Sequence, residues 1–548
     1  MENLSMYERI HQSVKASPHG LALYYQGTRI SYKKFDKLMN RAADIFANRL
    51  GIKAGDVILV AQPNIPDVLI IFYALNKIGA ITNFVHPFTP FNQIRSIIRK
   101  THVKLAFMFE QRIAKEVDLY RQLADKIYVT RVEDYLPLGK KFIYHNFMNR
   151  AIRRKLGKWR GQFKGFKYFH DLKPTGNIPE NYKGDNHKTS ILLHSGSTTG
   201  DPKTICLSNY NFNYVGECTP DFLACKPEFI KGKAMLSVLP SFHGFGLCMT
   251  MHAPLCTLMP VVLMPKFDVN DLVKTMKRVN IASICGVPTM YEKMLESKAF
   301  LESKQLKNLY VVYCGGDTLS AALKKKFDDA MAAHGSKCKM FEGYGLTEAI
   351  SVNCVNTYDH NKDGSIGYPM KGVEFRIVDQ QDKEVKRGTI GEITMKTPAL
   401  MVGYFEDEEN TKKSIKDGWL YTGDLGYMDE DGFIYFSQRK KRVVKVSGVG
   451  VFPTEVERLI ETIPGVKSCC AIQIPDPRLQ HALKVFVVAK YFDEEGMRNQ
   501  IIDTCRKYLI RWSVPKEVEF RKELPLTQLG KVDFNKLQKE EDAKRGIQ

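Results

Sequence analysis

The sequence predicts an α/β fold in which a large N-terminal domain of stacked α/β sheets with a β module precedes a small α+β C-terminal domain. A chain of 548 residues is too long for one hydrophobic core, so two or more domains are expected. Between Asp56 and Met290, apolar runs alternate with stretches of helical periodicity, which is typical of parallel sheets with crossover helices. The pattern changes near Gly367 and again near Arg439, which indicates a module and then a second domain.

The apolar runs are VILVAQ at 57–62, ILLHSG at 191–196, AMLSVLP at 234–240, ASICGVP at 282–288 and YVVYCGG at 310–316. Helical stretches occupy 268–280 and 320–334. From 367 to 438, short alternating runs with many glycines predict an antiparallel β module. Beyond it we expect a charged junction, a helix near 454–462, strands at 468–474 and 483–491, and a helix near 496–510. These features place the large domain at 1–438 and the small domain at 439–548.

The composition is that of a folded globular protein, with 44% apolar and 26% charged residues, and it excludes general disorder. The twelve cysteines contain no C-x-x-C pair, so we expect small buried thiols and no disulfide framework. The N-terminus carries no apolar leader, and the longest apolar stretches are interrupted by prolines and polar residues. We therefore expect a cytoplasmic protein that does not span a bilayer.

The net charge of +21 implies an anionic partner, which could be nucleic acid, an anionic membrane or a phosphate-bearing substrate. Residues 139–170 contain ten basic residues, no acidic residue and eight aromatic residues. This segment is either a solvated basic linker or a peripheral attachment site for the inner face of an anionic membrane, and a basic and aromatic patch also suits single-stranded nucleic acid. A nucleic-acid-binding function is disfavoured because no nucleic-acid-binding motif is present.

One segment of small and hydroxyl residues follows the run at 191–193 and suits a polyphosphate. Its members are Ser195, Gly196, Ser197, Thr198, Thr199, Gly200, Asp201, Pro202 and Lys203. Such a loop exposes backbone N–H groups, and its lysine adds positive charge. The spacing is not that of a Walker loop. Taken alone, the segment could also be a polar surface turn.

Together with four further motifs, this loop resembles the ordered motif series of the adenylate-forming superfamily, which comprises acyl-CoA synthetases, peptide-synthetase adenylation domains and luciferases. The further motifs are EGYGLTE at 342–348, YTGD at 421–424, the segment 439–448, and LGK at 529–531. The overall pattern is most similar to fatty acyl-CoA synthetases. Two positions depart from the family pattern, because Ser197 and Thr204 stand where glycines are usual.

The resemblance implies roles for individual residues in a site for ATP and Mg²⁺. Thr347 and Glu348 would contact the α-phosphate and Mg²⁺, and one well-placed carboxylate is sufficient for that ion. Tyr344 would stack on adenine, with Gly345 in the same motif. The adenine site would also be lined by Gly315, Gly316 and Asp317.

Further positions are implied at the domain junction. Asp424 would accept hydrogen bonds from the ribose hydroxyls, and Arg439 would contact ribose or phosphate. Lys441 matches the hinge of a mobile C-terminal domain. The loop 446–450, which contains Gly448, would let the pantetheine arm pass in the second step, and Lys445 beside it would belong to the cofactor site.

Two residues would act on the acid itself. His243 would lie beside the substrate carboxylate and orient its attacking oxygen. Lys531 would bridge the carboxylate and ATP, both anionic, and stabilise the transition state. Gly286 would leave room for the acyl group. Gly244 and Phe245 follow His243 where amino-acid-activating relatives usually carry an Asp, so we expect a substrate without an α-amino group.

The implied function is ATP-dependent activation of a carboxylic acid, with a fatty acid favoured, followed by thioester formation with coenzyme A. Two alternatives stay open. One is a fatty acyl-adenylate ligase that delivers to an acyl-carrier protein, and the other is an aryl-acid CoA ligase. No carrier segment follows Lys531, which favours a free thiol acceptor.

Overall fold

The structure is a computed structural model that describes residues 3–157, 165–195, 203–316, 319–447, 449–490, 493–527 and 532–547. It confirms the predicted α/β class. Two large, mainly parallel sheets are followed by an antiparallel β module and a small α+β region. All twelve cysteines belong to the described residues and are free, and all except Cys225 are buried.

The first sheet has nine strands, and its central members are parallel. In spatial order the strands are Tyr368–Pro369, Cys354–Val355, Lys339–Tyr344, Val311–Cys314, Ile281–Gly286, Ala234–Ser237, Val261–Leu263, Leu21–Tyr25 and Thr28–Ser31. Pairing is antiparallel at the two ends, between the first three strands and between the last two. The central strands are buried on both faces, as their continuous apolar runs predict.

The second sheet has eight strands. In spatial order they are Gly403–Tyr404, Thr204–Ser208, Thr189–His194, Ile81–Phe84, Val57–Ala61, Leu105–Phe109, Ile127–Thr130 and Lys167–Tyr168. The first two pairings are antiparallel and the rest are parallel. The strand Thr204–Ser208 was not predicted, and it makes the hydroxyl-rich segment a connection between antiparallel strands.

The α-helices that connect and cover the sheets begin with favourable caps. The first is capped by Ser5 with Glu8, and Ser320 caps the helix that precedes the motif at 342–348. In chain order the α-helices of the large domain are Met6–Ala16, Tyr32–Asp44, Pro66–Lys77, Phe91–Lys100, Glu110–Lys115, Val117–Tyr120, Leu138–Ile143, Arg150–Leu156, Asn209–Glu217, Thr219–Phe222, Pro227–Ile230, Ala253–Cys256, Val269–Met276, Pro288–Leu295, Lys298–Leu301, Ala321–Ala333 and Glu408–Ser414. Wider π-helical turns are formed by Ile45–Arg49, Tyr144–Met148 and Phe245–His252.

One helix lies at the centre of the large domain. Every residue of Pro66–Lys77 is buried, and its side chains belong to a core that includes residues from both large sheets. A helix that is apolar on all sides is stable only when it is enclosed. The two sheets are therefore parts of one packed body.

The β module and the C-terminal region follow the predicted order. The module contains Glu374–Val378, Gly391–Lys396, Trp419–Met428, Ile415–Lys416 and Ile434–Arg439, all paired antiparallel. The C-terminal region contains the strands Val444–Val446, Val449–Val451, Val466–Asp476, Gln480–Ala489 and Glu517–Phe520 and the helices Pro453–Glu461, Glu494–Tyr508 and Phe534–Lys544. Among the described residues, no helix combines the length and apolarity needed to cross a bilayer.

Candidate active site

Three neighbouring parallel strands of the first sheet end at the same edge. They are Ile281–Gly286, Val311–Cys314 and Lys339–Tyr344. Their register places Gly286 beside Cys314 and Cys314 beside Glu342. Ligands of α/β sheets bind outside the carboxyl ends of parallel strands. The predicted motifs at 315–317 and 342–348 both begin at this edge, so the structure brings them together.

Glycines at this edge allow neighbouring backbone and side-chain atoms to approach closely. Gly316 has a φ of +79°, a conformation that favours glycine. A Cβ atom on Gly345 would lie 1.0 Å from the carbonyl oxygen of Ser351, so no other residue fits there. A Cβ atom on Gly315 would lie 3.1 Å from the ring of Phe245. The packing of the edge therefore requires or favours these glycines before any ligand is considered.

Glu348 lies in a short helical turn, Thr347–Ala349, that follows the third strand. Its Oε1 accepts a hydrogen bond of 3.1 Å from the hydroxyl of Tyr404, and its carbonyl accepts one of 2.8 Å from the Met401 N–H. The next residues, Ile350 and Ser351, have positive φ angles of 22° and 79°. Strained backbone of this kind persists where the surroundings hold it, often at functional sites.

The ends of the hydroxyl-rich loop are closed by two hydrogen bonds. The Ser195 N–H donates to the Lys203 carbonyl at 2.9 Å, and the Lys203 N–H donates to the Ser195 hydroxyl at 3.0 Å. The Lys203 ammonium lies 4.3 Å from the centre of the Tyr404 ring. Tyr404 thus contacts both the loop lysine and the carboxylate of Glu348, and it holds the two predicted phosphate and Mg²⁺ elements together.

A second group of side chains surrounds Asp424, whose side chain is 1% exposed. The Tyr344 hydroxyl donates to its Oδ2 at 2.7 Å, and the Arg439 Nε lies 3.2 Å from its Oδ1. Asp424 and Arg439 are direct partners across the antiparallel strands, so the sheet register produces the ion pair. Burial, followed by the charge of Asp424, raises the pKa of Tyr344 well above its usual range.

His243 lies in the loop before the π-helical turn Phe245–His252. Its Nδ1 accepts a hydrogen bond of 3.2 Å from the Phe245 N–H. A neutral imidazole that accepts at Nδ1 carries its proton at Nε2, where it can donate. Its neighbour Phe242 packs against the ring of His86 at 4.6 Å, and burial lowers the pKa of His86.

Gly286 does not leave the open space that the sequence suggests. A Cβ atom there would lie 3.1 Å from the Met290 methyl group and from the Tyr291 hydroxyl. Tyr291 is buried and donates to the carbonyl of Tyr313 at 2.7 Å, so it is held in place. The space beside Gly286 is occupied, and the flexible end of Met290 is the part that can move.

Glu342 is a site residue to which the sequence assigns no individual role. It accepts a hydrogen bond of 3.5 Å from the Leu319 N–H, and burial raises the pKa of its carboxyl to about 7. The charge of Arg458 opposes this shift. Arg458 also donates to the Phe436 carbonyl at 3.1 Å, so the helix Pro453–Glu461 contacts the β module close to the sheet edge.

Some of the predicted site positions lie outside the described residues. They are Lys531, Gly196, Ser197, Thr198, Thr199, Gly200, Asp317, Gly448 and the side chain of Lys441. Lys445 is exposed on the strand Val444–Val446, where its carbonyl lies 3.2 Å from the His481 Nδ1. The structure therefore joins the motifs from 195 to 424 and connects the segment 439–448 to them through Arg439, whereas the motif at 529–531 lies outside the described residues.

Tyr404 was missed by the sequence analysis. It follows Gly403 on an edge strand of the second sheet, where it is paired with Ile205. No spacing rule connects it to Glu348, which is 56 residues earlier. Only the pairing of Gly403–Tyr404 with the strand after the loop brings its ring to Lys203.

Comparison with known proteins agrees with this arrangement. The family model described as "AMP-binding enzyme" matches residues 10–405, and "AMP-binding enzyme C-terminal domain" matches 455–531. The chain is 28% identical to a long-chain-fatty-acid–CoA ligase of Bacillus subtilis (strain 168) over 545 residues, which cover 99% of this chain and 95% of that protein.

Two solved structures have the same fold. ATP-bound MatB from Rhodopseudomonas palustris matches with a TM-score of 0.83 and 23% identity, over 98% of this chain and 99% of that one. The anthranilate CoA ligase AuaEII, in complex with anthranoyl-AMP, matches with a TM-score of 0.83 and 21% identity, over 100% and 98% of the two chains.

The fold and the converging motifs define an enzyme of the adenylate-forming class. The chain belongs to the AMP-binding enzyme family, because the family model covers more than half of its length. The resemblance inferred from the motifs is thereby confirmed.

Proposed function

We propose that the protein is an AMP-forming acyl-CoA synthetase that activates a fatty acid with ATP and Mg²⁺ and transfers the acyl group to coenzyme A. One observation carries the proposal. The segment from Tyr344 to Glu348 contacts Asp424, the ion-pair partner of Arg439, at one end and Tyr404 at the other. Groups suited to a ribose and groups suited to phosphate and Mg²⁺ are thus held at the two ends of one short segment.

The residues present fit a nucleotide. Asp424 is a buried carboxylate, and carboxylate oxygens accept hydrogen bonds from paired hydroxyls. Glu348 supplies one carboxylate for Mg²⁺, which binds phosphate oxygens with few protein ligands. Lys203 supplies positive charge beside the phosphate loop. When bound, Mg²⁺ would neutralise charge on the phosphates.

The remaining residues would act on the acid. We propose that His243 donates from Nε2 to the substrate carboxylate and keeps one carboxylate oxygen directed at the α-phosphorus of ATP. Lys531 would offset the repulsion between the two anions as pyrophosphate leaves. Attack of the carboxylate oxygen breaks the bond to pyrophosphate and forms an acyl-adenylate, with AMP as a good leaving group for a thiol.

We propose that residues 1–438 form the nucleotide-binding domain and residues 439–548 a domain that rotates about Lys441 between the two steps. In the second step, Lys445 and Gly448 would face the site, since glycine lets the pantetheine arm pass close to the backbone. The contact between Arg458 and Phe436 is one that such a rotation would change.

A fatty acid is favoured because the similar B. subtilis protein is a long-chain-fatty-acid–CoA ligase and because Gly244 and Phe245 supply no carboxylate for a substrate amine. An aryl acid is the second candidate. It is supported by the filled space beside Gly286 and by the fold shared with an anthranilate CoA ligase. An acyl-carrier-protein acceptor is the third.

The test is a panel of carboxylic acids scored by release of AMP and pyrophosphate, with and without coenzyme A. The proposal expects turnover with fatty acids and acceleration by coenzyme A. Turnover of aryl acids alone would overturn the fatty-acid assignment. Adenylate formation that coenzyme A does not discharge would overturn the assignment of the acceptor.

We also propose that the enzyme attaches reversibly to an anionic membrane, where fatty acids are dissolved. The basic and aromatic segment 139–170 supports this proposal through its charge.

A further inference from the structure

The segment Leu138–Leu156 exposes an unusual number of apolar side chains. The most exposed are Leu138 at 88%, Phe142 at 64%, Ile143 at 55%, Phe147 at 74% and Met148 at 67%, and these five are called the apolar cap. Large exposed apolar groups that follow one another along a helical segment mark an interaction site more often than chance exposure. The cap lies on the helical turns Leu138–Ile143 and Tyr144–Met148.

The cap is held by buried polar contacts beneath it. Asn149 is fully buried and donates to a carboxyl oxygen of Glu110 at 2.8 Å. The Nδ1 of His145 lies 2.7 Å from the carboxylate of Glu133, and Arg153 donates to the His145 carbonyl at 2.6 Å. The backbone is therefore anchored where the helical segment meets the large domain. The exposure of the cap follows from this anchoring.

Basic residues that lie within and just after the cap along the chain, called the basic rim, indicate the charge of its partner. Lys140, Arg150, Arg154 and Lys155 are exposed, and Lys141 is half-buried. No acidic residue interrupts the segment. Apolar side chains with a basic rim fit the boundary between headgroups and acyl chains in an anionic bilayer.

The structure shows which aromatic residues of 139–170 are exposed and can contact a membrane. Phe166, Tyr168 and Phe169 are 1%, 6% and 4% exposed and belong to the core, so they are not available to lipid. Trp159 and Phe163 lie outside the described residues. Of the eight aromatic residues in 139–170, Phe142 and Phe147 are the ones that the structure shows to be exposed to solvent.

Short contacts connect the segment that carries the cap to the flank of His243. The Gln111 side chain donates to the Tyr144 hydroxyl at 3.2 Å, and the adjacent Arg112 donates to the Thr89 carbonyl at 2.9 Å. Thr89 lies in the loop that starts at His86, whose ring packs on Phe242. A membrane bound at the cap would thus be connected to the proposed acid site through one helix and one loop.

We infer that the apolar cap inserts into an anionic lipid bilayer and that this docking supplies membrane-dissolved fatty acid to the enzyme. The supply of acid rests on the proposed acyl-CoA synthetase activity, whereas the docking does not depend on that activity. Docking combines insertion of Phe142 and Phe147 with attraction of the basic rim. Insertion of the aromatic rings and attraction of the basic rim can be tested separately by mutation.

The test is co-sedimentation of the full-length protein with vesicles of phosphatidylcholine and phosphatidylglycerol in equal parts, at low and high salt. The cap variant carries Phe142→Asp and Phe147→Asp. Its control carries Ile178→Asp and Tyr508→Asp, at positions that are 61% and 63% exposed elsewhere on the surface. The cap variant should lose vesicle binding while the control retains it.

The rim is tested with Lys140, Lys141, Arg150 and Arg154 changed to Gln, against a control with Lys274, Lys298, Lys325 and Lys412 changed to Gln. We expect binding to weaken by about fivefold for each rim charge removed. Loss of the same size in the control would overturn the assignment of the rim. If wild type bound pure phosphatidylcholine vesicles as well as it binds vesicles that contain phosphatidylglycerol, the inference that the bilayer must be anionic would be wrong.

Other outcomes also overturn the inference. They are equal vesicle binding by the cap variant and wild type, capture of a single-stranded oligonucleotide in preference to vesicles, and dimerisation through the cap without lipid. For delivery, the cap variant should lose turnover of a long-chain acid embedded in vesicles and keep turnover of soluble octanoate. If wild type turned over no acid, the proposed function would fail while the docking result would still stand.

Discussion

Replacement of Tyr404 by Phe keeps the ring and removes the hydroxyl, which donates to Glu348 and accepts a longer hydrogen bond of 3.5 Å from the Ser414 hydroxyl. The Tyr404 hydroxyl donates to the Glu348 Oε1 at 3.1 Å, whereas the Lys203 ammonium lies over the ring, which phenylalanine retains. Tyr404 is 8% exposed, so water does not readily replace the lost donor. The substitution therefore tests the orientation of Glu348 while the contact between the ring and Lys203 stays in place.

The expected cost follows from the type of bond. A hydrogen bond to a charged group contributes about 1.5–3 kcal/mol, which corresponds to a factor of about ten to one hundred. Groups that orient a metal ligand show effects of about the same size when they are removed. Tyr404→Leu also removes the ring beneath Lys203, which adds about 0.5–2 kcal/mol.

The assay is ATP–pyrophosphate exchange as a function of Mg²⁺-ATP concentration. Tyr404→Phe should lower exchange at subsaturating Mg²⁺-ATP by about tenfold to one hundredfold. Thioester formation from a supplied acyl-adenylate should be unchanged. Tyr435→Phe is the matched control, because its hydroxyl also donates to a carboxylate, Asp429 Oδ2 at 3.4 Å, within the β module. Exchange that is unaltered in folded Tyr404→Phe, or equally reduced in the control, would refute the link.

Three further predictions concern the site and its surroundings. Glu348→Ala should abolish exchange for every acid supplied, and normal exchange in a folded variant would remove Glu348 from the site. Lys531→Ala should slow adenylation by about 10²–10³ and spare thioester formation, and an equal loss in both steps would contradict the two-step rotation. Burial raises the pKa of Glu110 to about 7. Between about pH 4.5 and pH 7 the native state therefore holds a proton that the unfolded chain has released. The free energy of unfolding falls as the pH rises through this window. Glu110→Gln should remove that fall and be stabilised relative to wild type by up to about 3 kcal/mol more at pH 8 than at pH 5, measured by urea unfolding. The exposed control Glu292→Gln should keep the wild-type pH dependence, and a Glu110→Gln variant with that same dependence would show that Glu110 is ionised in the native state.

The parallel sheets were predictable because buried parallel strands have continuous apolar runs. Val57–Ala61 and Ile281–Gly286 are buried throughout and appear in the sequence as such runs. The family was predictable as well. Each motif is a contiguous run of residues, and the motifs occur along the chain in the order that is typical of the family. Those properties are local, and they can be read without knowing which strands are neighbours.

The contacts between motifs were not predictable in the same way. The ion pair between Asp424 and Arg439 depends on the register of two antiparallel strands, and a shift of one residue would separate the two side chains. The filled space beside Gly286 depends on the rotamers of Met290 and Tyr291 in the following helix. Register and packing are set by the whole core.

The sequence by itself determined the fold class, the family and the residue types available for nucleotide chemistry, because these follow from periodicity and from motifs read in order. Only the tertiary structure decided that Tyr404 contacts both Lys203 and Glu348, since that contact depends on the edge strand Gly403–Tyr404 pairing beside the loop. It also decided which aromatic residues of 139–170 are exposed. Phe142 and Phe169 are the same residue type in one segment, yet Phe142 is 64% exposed and Phe169 is 4% exposed, because burial depends on what the rest of the chain places above each ring.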